Sequence, residues 1–278
     1  MGMAMAHRLA ERGHRVLTRD VRAAADDASR AAGFEVCASA RALAERCEIV
    51  AVVVVDAVQI DAVLFGIGGV AEAAGGAKTL LLCSTIAPHD TARFARALAT
   101  TSIVAIDAPV SGGPARARAG TMSMMLAAPA AVLAPWHALL ADLAEARFVV
   151  GTTPGDAAKA KLVNNLLAGI HLVAAAEALA LAEKLGLDAR TVFDLVNASS
   201  GASWMFEDRM PRALERDYEP PRAAMRILAK DLTLATAMAA SLNHPTPLGD
   251  AALQRFRSAV AQGAAEFDDA AVIETYRR

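Results

Sequence analysis

Lys161 and Asn165 stand four residues apart in the stretch "KAKLVNNLLAGIH" (159–171). On a helix that spacing puts both side chains on one face. Leu162, Leu166 and Leu167 make the neighbourhood largely apolar. Desolvation lowers the pKa of an amine, which is how a lysine comes to exchange protons near neutral pH. The ordinary alternative is a lysine that lays its methylenes along an apolar surface and keeps its ammonium in water. Lys230 and Asp231, in "AKDLTLA" (229–235), form a second such pair and read as solvated helix residues. Upstream, "DAPVSGG" (107–113) offers the Ser111 hydroxyl followed by Gly112 and Gly113. Backbone without side chains there could come close to a small anion, although a glycine pair also makes an ordinary tight turn.

These residues need elements to hold them. Up to about Gly151 the chain alternates apolar runs with Ala-rich helical patterns; the runs fall at 15–18, 48–55, 79–83, 102–107, 121–126 and 147–150. Ser39, Asp56 and Asp90 read as helix starts, and Gly13 and Gly33 as helix stops. Strand and helix in alternation predict an α/β, doubly wound, mostly parallel sheet over residues 1–153. The unbroken apolar character of "IVAVVVV" predicts a strand covered on both faces. From Pro154 the strand signals stop, and residues 154–278 read as an all-helical domain. Its first helix is expected to run some thirty residues, about 45 Å at about 1.5 Å per residue, and to contribute to a subunit interface.

The opening "MGMAMAHRLAERGHRVLTRD" has a helix over 1–12 feeding an apolar run and then Asp20. In a dinucleotide-binding unit a strand and G-x-G-x-x-G precede such a helix, and an acidic residue after the next strand binds the ribose 2′-hydroxyl of NAD and repels the 2′-phosphate of NADP. Gly2 then stands where the third glycine belongs, and the natural start is expected roughly ten to fifteen residues upstream of Met1, with the first strand in between. Asp20 could equally be a helix cap, and Arg19 beside it could accept a 2′-phosphate.

With 28 basic and 30 acidic residues the net charge is −2 and no Lys/Arg block occurs, which argues against nucleic acid and anionic membranes as partners. Cys37, Cys47 and Cys83 are far apart and lack metal-ligand spacing, so a reduced, cytoplasmic protein is expected. The apolar stretch at 166–182 contains His171 and Glu177 and reads as a buried helix rather than a membrane span.

Together the segments "MGMAMAHRLAERGHRV" (1–16), "STIAP" (84–88), "DAPVSGG", "KLVNN" (161–165), "AEALALAEKLGLD" (176–188), "SSGASW" (199–204), "KDL" (230–232) and "DDAAVIETY" (268–276) resemble the β-hydroxyacid dehydrogenase family over essentially the whole chain. The resemblance implies a Rossmann-type domain lacking its first strand in this chain, then an all-helical substrate and dimerisation domain in a homodimer or homotetramer. It implies Lys161 as the catalytic lysine and Asn165 as the residue orienting substrate and lysine. Ser111, Gly112 and Gly113 would hold the substrate carboxylate; Gly2, Asp20, Thr85 and Lys230 would contact the cofactor. That cofactor is NAD in preference to NADP, and no metal is needed. The stretches at 62–88, 166–171 and 201–211 resemble most the branch that oxidises L-threonate at C2, whose extra hydroxyls could meet His171, Asp208 or Arg209, each of which could equally be a structural helix residue. Branches acting on 3-hydroxyisobutyrate or tartronate semialdehyde stay open, as does a truncated homologue that dimerises without binding dinucleotide. One departure lies beside the lysine: the family's G-x-G-x-x-x-K is here "GDAAKAK" (155–161), with Ala157 at the second glycine.

Overall fold

The computed structural model describes residues 1–76 and 78–277. Ala77, within the stretch 62–88, and Arg278, the last residue of the expected second domain, lie outside the described residues. The chain divides into two compact units, Met1–Lys161 and Leu162–Arg278. The division falls inside one long helix, whereas the change of pattern at 153/154 marks the turn that precedes it.

In the first unit, helices alternate with strands: α1 (Gly2–Glu11), β1 (Leu17–Thr18), α2 (Ala23–Ala31), β2 (Glu35–Val36), α3 (Ala40–Ala44), β3 (Ile49–Val52), α4 (Ala57–Phe65), β4 (Thr79–Leu82), α5 (Pro88–Leu98) and β5 (Val104–Asp107). There follow β6 (Val110–Ser111), α6 (Gly113–Ala119), β7 (Met122–Ala127), α7 (Ala130–Leu133), α8 (His137–Leu143) and β8 (Ala144–Gly151). β3, β4 and β5 are parallel, as are β7 and β8, while β7 runs antiparallel to β5 and β6. β1 and β2 pair with each other in a separate parallel sheet.

β4 shows why the sheet is covered on both sides. Successive side chains point to opposite faces, so Leu81 joins Ile106, Met122 and Met124 in one core, while Leu80 and Leu82 join Ile60, Phe94 and Leu98 in the other. β3 likewise feeds both cores, as expected: Val50 and Val52 are buried in one and Ile49 and Val53 pack against the other, while Ala51 is exposed on this edge strand, whose neighbour in the six-stranded sheet is β4. Ser39 and Asp56 do cap their helices, accepting from the backbone N–H of Ala42 (3.0 Å) and Gln59 (2.9 Å). Asp90 does not: α5 starts with Pro88 at its first position and Asp90 lies in its first turn. Two short strands, β2 and β6, went unpredicted, each too brief to carry an alternating pattern.

The second unit is helical: most of α9 (Asp156–Lys184), then α10 (Ala189–Asn197), α11 (Trp204–Glu215), α12 (Met225–Ser241) and α13 (Pro247–Ala259). Leu172, Ala176 and Leu179 of α9 pack with Phe206, Met210, Leu232, Phe256 and Ile273. Half of the most apolar window of α9 is buried, and Val163, Leu167 and Leu181 are among its exposed residues.

Candidate active site

In the first unit Asp20 follows β1 and Thr85 follows β4, at the carboxyl ends of parallel strands, where open α/β sheets bind ligands, whereas Ser111 ends β6, which pairs antiparallel with β7. Gly2 opens α1 against the loop after β3: a Cβ there would lie 3.7 Å from Val53 Cβ, an ordinary contact. No side chain caps the start of α1. Its first N–H groups and the positive end of the helix dipole suit a phosphate oxygen. Ser84 Oγ accepts the Val54 N–H (3.0 Å) and so ties the loop after β3 to the loop that carries Thr85 after β4.

Asp20 follows β1. Its Oδ1 accepts from Arg22 N (2.9 Å) and Nε (3.2 Å) and its Oδ2 from Arg22 Nη2 (3.2 Å). The Arg22 hydrogen bond holds the Asp20 carboxyl below the usual carboxylate range, so it is an acceptor at neutral pH. Burial, and then the charge of Arg22, lower the pKa of the Met1 ammonium. An uncapped helix start suits a pyrophosphate, and an ionised acceptor after a strand suits a ribose hydroxyl.

Ser111 ends β6. Gly112 (φ 129°) and Gly113 (φ 73°) are successive residues in a backbone region closed to side chains, and a Cβ on Gly112 would lie 3.1 Å from Arg116 Cβ. The glycine pair is therefore required by the backbone of this loop.

Asp107, the first residue of "DAPVSGG", was not singled out from sequence and proves central to this unit. It is 2% exposed, and its Oδ2 accepts the N–H groups of Gly155 (2.8 Å) and Ala158 (3.0 Å). The end of β5 thus caps the start of α9, the helix that carries Lys161. Gly155 is needed there: its φ is 108°, and a Cβ would approach Pro88 O to 2.9 Å. Ala157 resolves the departure noted in "GDAAKAK". Its methyl is fully buried against Met125 and Ala127, so the helix accepts it without distortion.

Burial pushes the Asp107 carboxyl up to about 6 against the opposing backbone N–H groups. Its folded pKa exceeds the unfolded value of about 4, so the native state holds the extra proton between those limits. Stability contributed by this group therefore falls as pH rises from about 4 to about 6 and is level above. Asp107→Ala leaves two buried N–H groups unpaired and is expected to cost about 2–5 kcal/mol. Asp107→Asn, which keeps an acceptor, is expected to cost less than about 1 kcal/mol and to lose the slope. Urea unfolding at pH 4.5 and 7 measures both.

Lys161 is 6% exposed, with Ala157, Ala158 and Leu162 of α9 buried around it in sequence. The water-facing arrangement open to it in the sequence is not the one adopted. In the second unit Asn165 is also buried, at 8% exposed. Its Nδ2 donates to Asp231 Oδ2 at 2.6 Å, and its Oδ1 accepts from Asn164 Nδ2 at 3.0 Å. Asp231 Oδ1 lies 2.8 Å from Lys230 Nζ. Asp231 is 4% exposed, so the pair read as solvated is a buried link between Lys230 and Asn165. Close helix packing produces it: a Cβ on Gly169 would lie 2.3 Å from Leu232 Cδ1, so glycine lets α12 settle onto α9 one turn beyond Asn165. The sequence signal was present in "KDL", but a Lys–Asp pair does not itself reveal burial.

Arg209 and Asp208, weighed as substrate contacts, are engaged elsewhere. Arg209 is 7% exposed, donates through Nε to Asp269 Oδ1 (2.7 Å) and pairs with Asp208. Arg212 donates to Asp268 Oδ2 (2.7 Å) beside it, which explains "DDAAVIETY" as a buried structural ion cluster. His171 is half-buried on α9.

Comparison with known proteins identifies the family. Residues 1–151 match the NAD binding domain of 6-phosphogluconate dehydrogenase, and residues 155–276 match the family described as NAD-binding of NADP-dependent 3-hydroxyisobutyrate dehydrogenase. The chain is 39% identical over 276 residues to an L-threonate dehydrogenase of Cupriavidus necator, covering 99% of this chain and 93% of the relative. It is 31% identical over 274 residues to a 2-hydroxy-3-oxopropionate reductase of Escherichia coli, covering 99% and 93%. The crystal structure of a 3-hydroxyisobutyrate dehydrogenase from Salmonella typhimurium superposes with a TM-score of 0.91 at 35% identity, covering 99% of this chain and 95% of that one. Family models that together span nearly the whole chain, and relatives that are dehydrogenases and reductases of small hydroxy acids, lead to one conclusion: this chain belongs to the NAD-binding hydroxy acid dehydrogenase family typified by 3-hydroxyisobutyrate dehydrogenase.

Proposed function

We propose that the protein oxidises L-threonate to 2-dehydro-L-erythronate with NAD. The observation that carries the reading is the burial of Lys161 and Asn165, four residues apart on α9. The name of the Cupriavidus necator relative supports the substrate. NAD, held by Gly2, Asp20, Thr85 and Lys230, would supply the hydride acceptor for C2 of the substrate. Lys161 takes the proton from the C2 hydroxyl, which requires the amine to be neutral when the reaction starts. Asn165 orients the hydroxyl and the lysine, and its amide is fixed by Asp231. Ser111, Gly112 and Gly113 hold the substrate carboxylate. Gly2 lets the start of α1 meet the pyrophosphate, Asp20 takes the ribose hydroxyl, and Thr85 and Lys230 complete the cofactor contacts. Asp20, ionised and paired to Arg22, supports NAD over NADP.

The same reading makes the protein a cytoplasmic homodimer or homotetramer. Exposed Val163, Leu167 and Leu181 on α9 support the association, and the free state of Cys37, Cys47 and Cys83 fits a reducing compartment.

The test is nucleotide reduction at 340 nm with L-threonate, D-threonate, D-erythronate, L-tartrate and 3-hydroxyisobutyrate. L-threonate with NAD is expected to give the highest kcat/KM, by about tenfold or more, because a pocket built for additional hydroxyls loses hydrogen bonds with the others. A higher value with 3-hydroxyisobutyrate would move the chain to that branch. Activity with none of them, and none in the reverse direction with tartronate semialdehyde, would favour the non-catalytic reading.

A further inference from the structure

The turn between β1 and α2 holds more charge than a ribose contact requires. Asp26, on α2, is 6% exposed, and a buried carboxylate must be compensated. Its Oδ1 accepts the N–H of Asp20 (2.9 Å) and its Oδ2 accepts from Arg19 Nη1 (2.5 Å). The same Arg19 nitrogen donates to Asp20 O (2.6 Å). The Asp20 residue is thus gripped through its N–H by Asp26 and through its carbonyl by Arg19.

Two consequences follow for a nucleotide bound beside this turn. The Asp20 carboxylate is presented in one position, and the nearest cation in sequence, Arg19, is already neutralised and folded back onto α2. A free 2′-hydroxyl meets a fixed acceptor. A 2′-phosphate meets the same carboxylate and finds only Arg22, whose side chain is 77% exposed and already paired to Asp20.

We propose that Asp26 is the residue that sets nucleotide preference here, by positioning Asp20 and withholding Arg19 from a 2′-phosphate. The proposal rests on the dinucleotide reading of this unit and extends it to a side chain that would not itself touch the nucleotide.

Dissociation constants for NAD+ and NADP+, measured by calorimetry on the full chain, test it without relying on turnover. In Asp26→Asn the acceptor for the Asp20 N–H remains but the charge that holds Arg19 is gone. The ratio of the NADP+ constant to the NAD+ constant is expected to fall by about tenfold or more, since a charge-assisted bond to phosphate has that worth. Adding Arg19→Gln to that variant should return the ratio to the wild-type value, and Asp26→Glu should keep it. Arg19→Gln alone, which keeps an N–H donor for Asp26 Oδ2, should leave NADP+ binding within about twofold. A ratio unchanged in Asp26→Asn, even if both constants rise together, would reduce Asp26 to a structural role and overturn the proposal. So would a large loss of NADP+ binding in Arg19→Gln alone. Binding of neither nucleotide by the wild type would instead overturn the dinucleotide reading on which the proposal stands.

Discussion

Lys161→Ala is expected to lower kcat by about two to four orders of magnitude, the range supplied by a positioned proton-transfer group, while the affinity for NAD+ stays within about twofold. The split follows from the assigned roles: Lys161 acts on the substrate hydroxyl, and the cofactor contacts are Gly2, Asp20, Thr85 and Lys230. Lys161→Arg sharpens the test. Arginine keeps a cation in place, but with a pKa above about 12 it cannot give up a proton near neutral pH. Its kcat is therefore expected to fall about as far as that of the alanine variant. Steady-state kinetics with fluorescence titration of NAD+ measures both quantities. Retained turnover in Lys161→Arg would mean that the residue supplies only charge, and retained turnover in Lys161→Ala would remove it from the mechanism.

Asp231→Ala carries the second large effect. The buried carboxylate accepts from Asn165 Nδ2 at 2.6 Å and lies 2.8 Å from Lys230 Nζ. Its removal leaves the Asn165 amide without the partner that fixes which end is donor and which acceptor. Hydrogen bonds to charged groups are worth about 1.5–3 kcal/mol, so kcat/KM is expected to fall by about ten- to a hundredfold. Loss of Asn165 orientation should appear in kcat, and release of Lys230 in the KM for NAD+. Asp231→Asn keeps an oxygen acceptor for Asn165 and should restore most of kcat but not the charge beside Lys230. A variant series that changed only thermal stability, with kcat and both KM values intact, would make Asp231 a packing residue.

Much of the fold can be read from the sequence because its signals are local. The switch from alternating runs to continuous helix near Pro154 needed no tertiary information, and α9 runs over 29 residues where about thirty were expected. What the sequence hides is partnership across the chain. Asp107 and Gly155 are separated by 48 positions and Asn165 and Asp231 by 66, and nothing in either neighbourhood announces the pairing. Burial is hidden for the same reason. "KDL" looks like a solvated helix pair until Gly169 allows α12 close to α9. The "IVAVVVV" run reads as doubly covered and does feed both cores, but its apolar content does not reveal that Ala51 is exposed on an edge strand. Arg209 carries two readings in the sequence, substrate contact or structural helix residue, and its buried bond to Asp269 matches the second.

The central claim is that C2 of L-threonate gives its hydrogen directly to the nicotinamide while Lys161 takes the hydroxyl proton. The most direct measurement uses L-threonate deuterated at C2 and proton NMR of the nucleotide produced. The account predicts deuterium at C4 of the reduced nicotinamide in one stereochemical position, a primary isotope effect on single-turnover hydride transfer, and loss of that transfer in Lys161→Ala. Reduced nucleotide without deuterium, or deuterium transfer that survives in Lys161→Ala at the wild-type rate, would contradict it.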